Sequence, residues 1–166
     1  MLRDRTHERR PTSCPPLLLF VFWQERTVNV LVPALEALGC TVQRVAGTGL
    51  VVDIPGRSDD ASCPVIALRA DLDALPITEG TGLDFASTVD GVMHACGHDG
   101  HTAMLYGAAE LLMGLEEAPP CPVRLLWQPA EEQSGGATSM IAAGALDNVC
   151  WTVMVVNGVR DKGEEG

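Results

Sequence analysis

Lysine is almost missing: one, Lys162, stands in 166 residues, and four of the eleven basic residues, Arg3, Arg5, Arg9 and Arg10, are confined to the first ten positions. The body of the chain is therefore more acidic than the formal net charge of −11 conveys. It has no basic patch to neutralise phosphates, which excludes nucleic acid as a partner and, by the same repulsion, an anionic membrane surface. Long apolar runs are also lacking. LLLFVFW, residues 17 to 23, follows an arginine-rich start as the core of a signal peptide would, but two prolines precede it and charged QERT stands where a small-residue cleavage site belongs. Seven residues are too few to span a bilayer. Residues 1–24 accordingly read as an atypical, disordered leader and the protein as cytoplasmic. The six cysteines form no CxxC pair and lack the density of a small secreted scaffold, so reduced thiols are expected.

What is present is an ordinary globular composition, 46% hydrophobic and 20% charged, over a length that fits one domain. Residues 25–38 read as a helix in spite of Pro33, closed by Gly39. TVQRVA (41–46), GLVVDI (49–54) and PVIALRA (64–70) are β-rich runs separated by Gly, Pro, Asp and Ser. In HTAMLYGAAELLMGL (101–115), Met104, Ala108, Leu111, Leu112 and Leu115 recur at helical spacing and mark the expected apolar face. PVRLLWQ (122–128) reads as a buried strand, GATSMIAAG (136–144) as a short helix closed by Gly144, and WTVMVV (151–156) as a last strand. APPCP (118–122) is a connector within the domain. The alternation predicts an α/β fold, a sheet with helices on both faces.

Three polar segments fall at the ends of these elements. RADLDALP (69–76) starts where a strand ends, the place where α/β sheets put ligands. Asp71 and Asp73 alone would read as turn or capping residues, but Arg69 and the apolar VIAL before it weigh against that. GVMHACGHDGH (91–101) gathers three of the four histidines, and Cys96, His98 and His101 can converge while the backbone turns through Gly97 and Gly100. Thiolate and neutral imidazole are preferred ligands of zinc and its neighbours, and a cluster this dense points to a metal. QPAEEQSGG (128–136) follows a buried strand. Two adjacent glutamates are commonest on solvated helix faces, yet at a strand end one carboxylate can hold metal while its neighbour moves protons.

RADLDALP, GVMHACGHDGH and WQPAEEQSGGA, in this order, resemble the metal-dependent amidohydrolase family of hippurate hydrolases, aminoacylases, N-acetyl-diaminopimelate deacetylases and auxin-conjugate hydrolases, part of a larger clan of co-catalytic metallopeptidases. The resemblance runs from about residue 25 to 144 and implies the N-terminal part of a three-layer α/β/α catalytic domain over residues 25–158, with a charged tail at 159–166. It implies metal ligation by Cys96, His98 and Glu132, Glu131 as general base, and Asp73 as the residue that orients a ligand histidine. The cofactors implied are two divalent ions per site, zinc, manganese or cobalt. The implied substrate is a small N-acyl amino acid or amino-acid conjugate. Asp71, Asp99 and His101 receive no role, and no substrate-binding residue is named.

The ends depart from the family. The Gly-Leu-His expected after the last strand is replaced by VMVVNGVRDKGEEG, without histidine, and the lid or dimerisation domain and final histidine ligand do not follow. At the start only His7 and Pro11 echo the family's His-x-x-Pro-Glu. Two expectations result. One is an amidohydrolase fragment of impaired activity, which would form a homodimer or pair with a full-length relative. The other is a catalytically inactive metal-binding remnant or interaction module.

Overall fold

The computed structural model describes residues 16–58, 60, 63–133 and 135–154, with side chains in the first helix described from Gln24 onward. The order is α1 (Pro16–Ala37), β1 (Val42–Val45), β2 (Gly49–Ile54), β3 (Val65–Asp71), α2 (His98–Met113), β4 (Val123–Gln128), α3 (Gly136–Ala142) and β5 (Val149–Met154). The five strands form one mixed sheet in the order β1-β2-β4-β3-β5. β1 and β2 make an antiparallel hairpin and β2 pairs antiparallel with β4, whereas β3 runs parallel to both β4 and β5.

Side-chain alternation in the strands divides the core in two. Leu50, Val52, Leu125, Trp127, Ala70 and Leu72 face α1 and α2, and meet Val28, Leu31 and Leu35 from α1 and Leu105 and Ala109 from α2. Val51, Ala67 and Leu126 point the other way, to Met140 of α3 and to Ala145. The expected three-layer α/β/α arrangement is thus present. The β3-to-β4 crossover carries α2 on one face and the β4-to-β5 crossover carries α3 on the other. The crevice between them opens at the carboxyl ends of β3 and β4, where chain direction reverses about a common sheet.

Three expectations need correction. Helix α1 begins at Pro16, before the expected start at residue 25; residues 1–15 lie outside the described residues, as does the tail. The apolar face of α2 is phased differently from most of the leucine and methionine pattern, although Leu112 packs half-buried against the core. Met104, Leu111 and Leu115 are 51%, 75% and 51% exposed, while His98, His101, Thr102, Leu105 and Ala109 are buried. Polar side chains with fixed partners occupy the first turn of the buried stripe, which a pattern read from hydrophobicity passes over. Finally, Cys63 and Cys121 form a disulfide with Cα atoms 5.8 Å apart, against the expectation of free thiols. They are 58 residues apart in sequence, but they precede the neighbouring parallel strands β3 and β4, and the sheet brings them together.

Candidate metal centre

The carboxyl end of β3 delivers Asp71 and Asp73, the end of β4 delivers Glu131 and Glu132, and the start of α2 delivers Cys96 and His98. Gly97, between the last two, adopts a left-handed φ of 80° as the helix N-cap, a conformation open to glycine at little cost, and this turns the chain so that Cys96 and His98 face the same crevice. After β4, Ala130 takes a φ of 50°, unusual for a residue with a Cβ, immediately before the two glutamates. The tight return into α3 depends on Gly136, where a Cβ would fall 1.6 Å from the carbonyl oxygen of Pro129.

Cys96, His98 and Glu132 each offer one ligand atom, and these atoms lie within 4.8 Å of one another. His98 Nδ1 is 2.9 Å from the carbonyl oxygen of Asp73 and 3.2 Å from its Oδ1. With both neighbours acceptors, the proton belongs on Nδ1, and Nε2 is left with its lone pair toward Glu132, whose Oε1 is 4.0 Å away. Asp73 uses its other oxygen, Oδ2, to accept the backbone N–H of Glu132 at 3.0 Å. One buried carboxylate therefore sets the tautomer of His98 and the position of Glu132 together. The carboxylates also act on Cys96: its hydrogen bond with Glu132, then burial, then the charges of Glu132, Glu131 and Asp71 push the thiol above its ordinary value. A divalent cation would reverse that balance by stabilising the thiolate. The donor set of sulfur, imidazole nitrogen and carboxylate oxygen fits zinc or a similar ion.

Beneath this group, Asp71 accepts from Arg69 Nη1 at 2.8 Å and lies 2.6 Å from His101 Nδ1, while the Thr102 hydroxyl donates to the Asp71 carbonyl at 2.9 Å. Arg69 Nε donates to Gln128 Oε1 at 3.0 Å. Burial pushes the His94 imidazole below its ordinary value, with Asp99 opposing. Asp99 itself is exposed and accepts from the N–H of Gly100. Glu131 is exposed and lines a cavity of about 380 Å³, with Arg69 and Gln128 among its polar residues and Met140, Ile141 and Met154 among its apolar ones.

The structure brings Cys96, His98, Glu131, Glu132 and Asp73 together; His101, expected to converge with Cys96 and His98, turns instead to Asp71, where Arg69 and Gln128 join it. His101 was visible as part of the histidine cluster and Arg69 beside the two aspartates, whereas the signal of Gln128 was position alone, at the end of the strand that became β4.

The sequence pattern of peptidase family M20/M25/M40 matches residues 67–164, which is more than half of the chain. The chain belongs to that family. It is 55% identical over 102 residues to the N-acetyl-L-cysteine deacetylase of Bacillus subtilis (strain 168), covering 61% of this chain and 24% of the relative. It is 52% identical over 143 residues to a Rhodococcus jostii (strain RHA1) protein named as a glutamate-cysteine ligase, covering 85% of this chain and 17% of that one. Among solved structures, a dinuclear metal binding peptidase of the M20 family from Bacillus subtilis superposes with a TM-score of 0.75 at 44% identity, over 80% of this chain and 37% of that chain. The M20 segment described here thus spans well under half the length of these proteins. Among the described residues no helix is long and apolar enough to cross a membrane.

Proposed function

We propose that this chain carries part of a metal-dependent amidohydrolase centre that cleaves N-acyl amino acids, with N-acyl cysteines as the foremost class. The observation that carries the reading is the convergence of Cys96, His98 and Glu132, with Glu131 beside them, at the carboxyl ends of adjacent parallel strands. Cys96, His98 and Glu132 would hold a divalent ion, zinc, manganese or cobalt, and a pair of ions would draw further ligands from beyond the described residues. Such an ion supplies Lewis acidity, lowering the pKa of a water and polarising an amide carbonyl.

The chain's own groups supply the rest. Asp73 keeps His98 in the tautomer that presents Nε2 and anchors the Glu132 backbone. Glu131, exposed on the cavity and adjacent in sequence to a ligand, accepts the proton of the attacking water on its carboxylate and returns it to the nitrogen of the departing amine. The products are a carboxylate and a free amino acid. The apolar wall of the 380 Å³ cavity suits a small acyl group better than a folded polypeptide.

The emphasis on cysteine comes from the relatives. One is named for removing acetyl from cysteine and another for joining glutamate to cysteine, so both names concern cysteine coupled to a second carboxylic acid. The setting we propose is the cytoplasm.

The test is release of free amino acid from N-acetylcysteine, N-acetylalanine and N-benzoylglycine in the presence of zinc, manganese or cobalt. We expect slow, metal-dependent release with a preference for N-acetylcysteine, lowered by about 10²- to 10⁴-fold in Glu131→Ala with metal content unchanged. Release that persists in Glu131→Ala would remove that residue from the chemistry. Equal rates on all three substrates would leave the hydrolase reading and remove the cysteine preference.

A further inference from the structure

Asp71 has no part in the chemistry above, yet its carboxylate is buried and both of its oxygens are engaged. Oδ2 accepts from Arg69 Nη1 at 2.8 Å and Oδ1 meets His101 Nδ1 at 2.6 Å. Asp71, His98 and His101 also satisfy the geometry of a metal-binding trio, with one potential ligand atom each within 4.8 Å. Two facts argue against an ion there. An ion at Asp71 would compete with a charge-assisted bond at whichever oxygen it took, and the Arg69 guanidinium, itself buried, would repel a divalent cation at short range.

The same contacts support a different role. Asp71 is the last residue of β3, and it grips α2 twice, through His101 Nδ1 and through the Thr102 hydroxyl on its carbonyl. His101 lies three residues after His98, on the same face of the helix, and the two rings stack with centroids 5.6 Å apart. Fixing His101 therefore fixes the rotation of the first turn of α2, and His98 with it. Arg69 extends the tie through Gln128 to the end of β4, from which Glu131 and Glu132 follow. His98 Nε2 ends 3.7 Å from Asp71 Oδ2, close enough to feel its charge but beyond hydrogen-bond range.

We propose that Asp71 is a positioning residue of the metal centre: clamped by Arg69 and His101, its carboxylate holds the first turn of α2 on the end of β3 and keeps His98 Nε2 in register with Cys96 and Glu132. This rests on the reading of those three residues as metal ligands.

The experiment is a zinc titration of the whole chain by calorimetry, with the cobalt(II) absorption spectrum as a report on the ligand set. Asp71→Asn preserves shape and removes the charge. It is expected to weaken zinc binding by at least about tenfold, with the number of ions per chain and the cobalt band positions unchanged, as for removal of a group that orients a ligand. Thr102→Val removes the second grip without touching the carboxylate and is expected to weaken zinc binding by less than Asp71→Asn does; a loss as large as that of Asp71→Asn would assign the effect to the packing of the segment and overturn the role given to the carboxylate. If Asp71→Asn fails to fold by circular dichroism, His101→Gln opens the clamp from the helix side and should give the same loss. Zinc affinity unchanged in a folded Asp71→Asn chain overturns the proposal. So does a cobalt spectrum showing a lost ligand, because Asp71 would then bind the ion directly. An unaltered chain that takes up neither zinc nor cobalt overturns the ligand reading and this one with it.

Discussion

The two ends of strands β3 and β4 are built on different principles. At the carboxyl ends, polar side chains hold one another: Arg69, Asp71, His101, Thr102 and Gln128 form one buried network, and Asp73 with His98 and the Glu132 backbone form a second. At the amino ends the ties include covalent and backbone ones, with the Arg57–Glu117 and Arg124–Asp53 ion pairs at the periphery. The Cys63–Cys121 disulfide joins the segments entering the two strands, Arg57 N–H donates to the Pro119 carbonyl at 2.8 Å, and Gly56 lies so close to Cys121 and Pro122 that a Cβ there would meet their backbone at 2.5–2.6 Å. A site that must hold a cation needs oriented lone pairs, and these are kept in place only by further polar partners. The opposite end carries no such demand and can be closed by a bond indifferent to charge.

Breaking the covalent end should therefore change stability and leave the site alone. For a 58-residue separation, chain-entropy arguments give a disulfide contribution of about 4 kcal/mol. We expect the double variant Cys63→Ser, Cys121→Ser to lose about that much in denaturant unfolding, while zinc affinity stays within the scatter for distant, independent sites. A parallel loss of zinc affinity would show that the two ends are mechanically coupled through the strands.

At the polar end the sharper probe is pH. The Cys96 thiol is raised first by its bond with Glu132, then by burial and by the surrounding carboxylates, so in the metal-free chain it stays protonated to a higher pH than an ordinary cysteine. Alkylation by iodoacetamide, located at Cys96 by peptide mass spectrometry, should accelerate with a midpoint above that of a cysteine-containing peptide. Glu132→Gln removes one charge and should move the midpoint down toward the peptide's. The same sign makes metal uptake proton-coupled: affinity falls as pH falls, because the ion must displace a more tightly held proton. A Cys96 midpoint at or below the peptide's would mean that Glu132 and the thiol do not face each other.

The sequence made the elements of the fold legible because β2 to β5 and α3 have local signals that agree with their surroundings: β-branched runs bounded by Gly and Pro, and a helix flanked by Gly135 and Gly144. The candidate ligand cluster stood out because cysteine and histidine at that density have few other uses, and the paired glutamates because they follow a buried strand. The failures share a cause as well. The disulfide depends on two parallel strands starting side by side, which no spacing of Cys63 and Cys121 reveals. The clamp on Asp71 depends on the ends of β3 and β4 meeting the start of α2, so Arg69 and Gln128 had no visible partners and His101 was grouped with Cys96 instead of Asp71. The start of α1 was obscured because Pro15 and Pro16 and an unbroken apolar run show no helical period.

The misphasing of α2 offers the smallest effect and a direct check on the face assigned to the polar network. The hydrophobic pattern places Leu111 in the core and ignores His101, whereas the structure turns Leu111 to solvent and puts Leu105 and Ala109 on the buried stripe with His98 and His101. Leu105→Ala should cost about 2 to 5 kcal/mol, the range for a leucine emptied from a packed interior. Leu111→Ser should change stability by about 0.5 kcal/mol or less, as exposed substitutions do. If the two costs were reversed, the helix would be rotated, His98 and His101 would leave the crevice, and the polar end of β3 and β4 could not be assembled as described. Near-equal costs would place a further apolar surface over Leu111, a second use for the exposed face of α2.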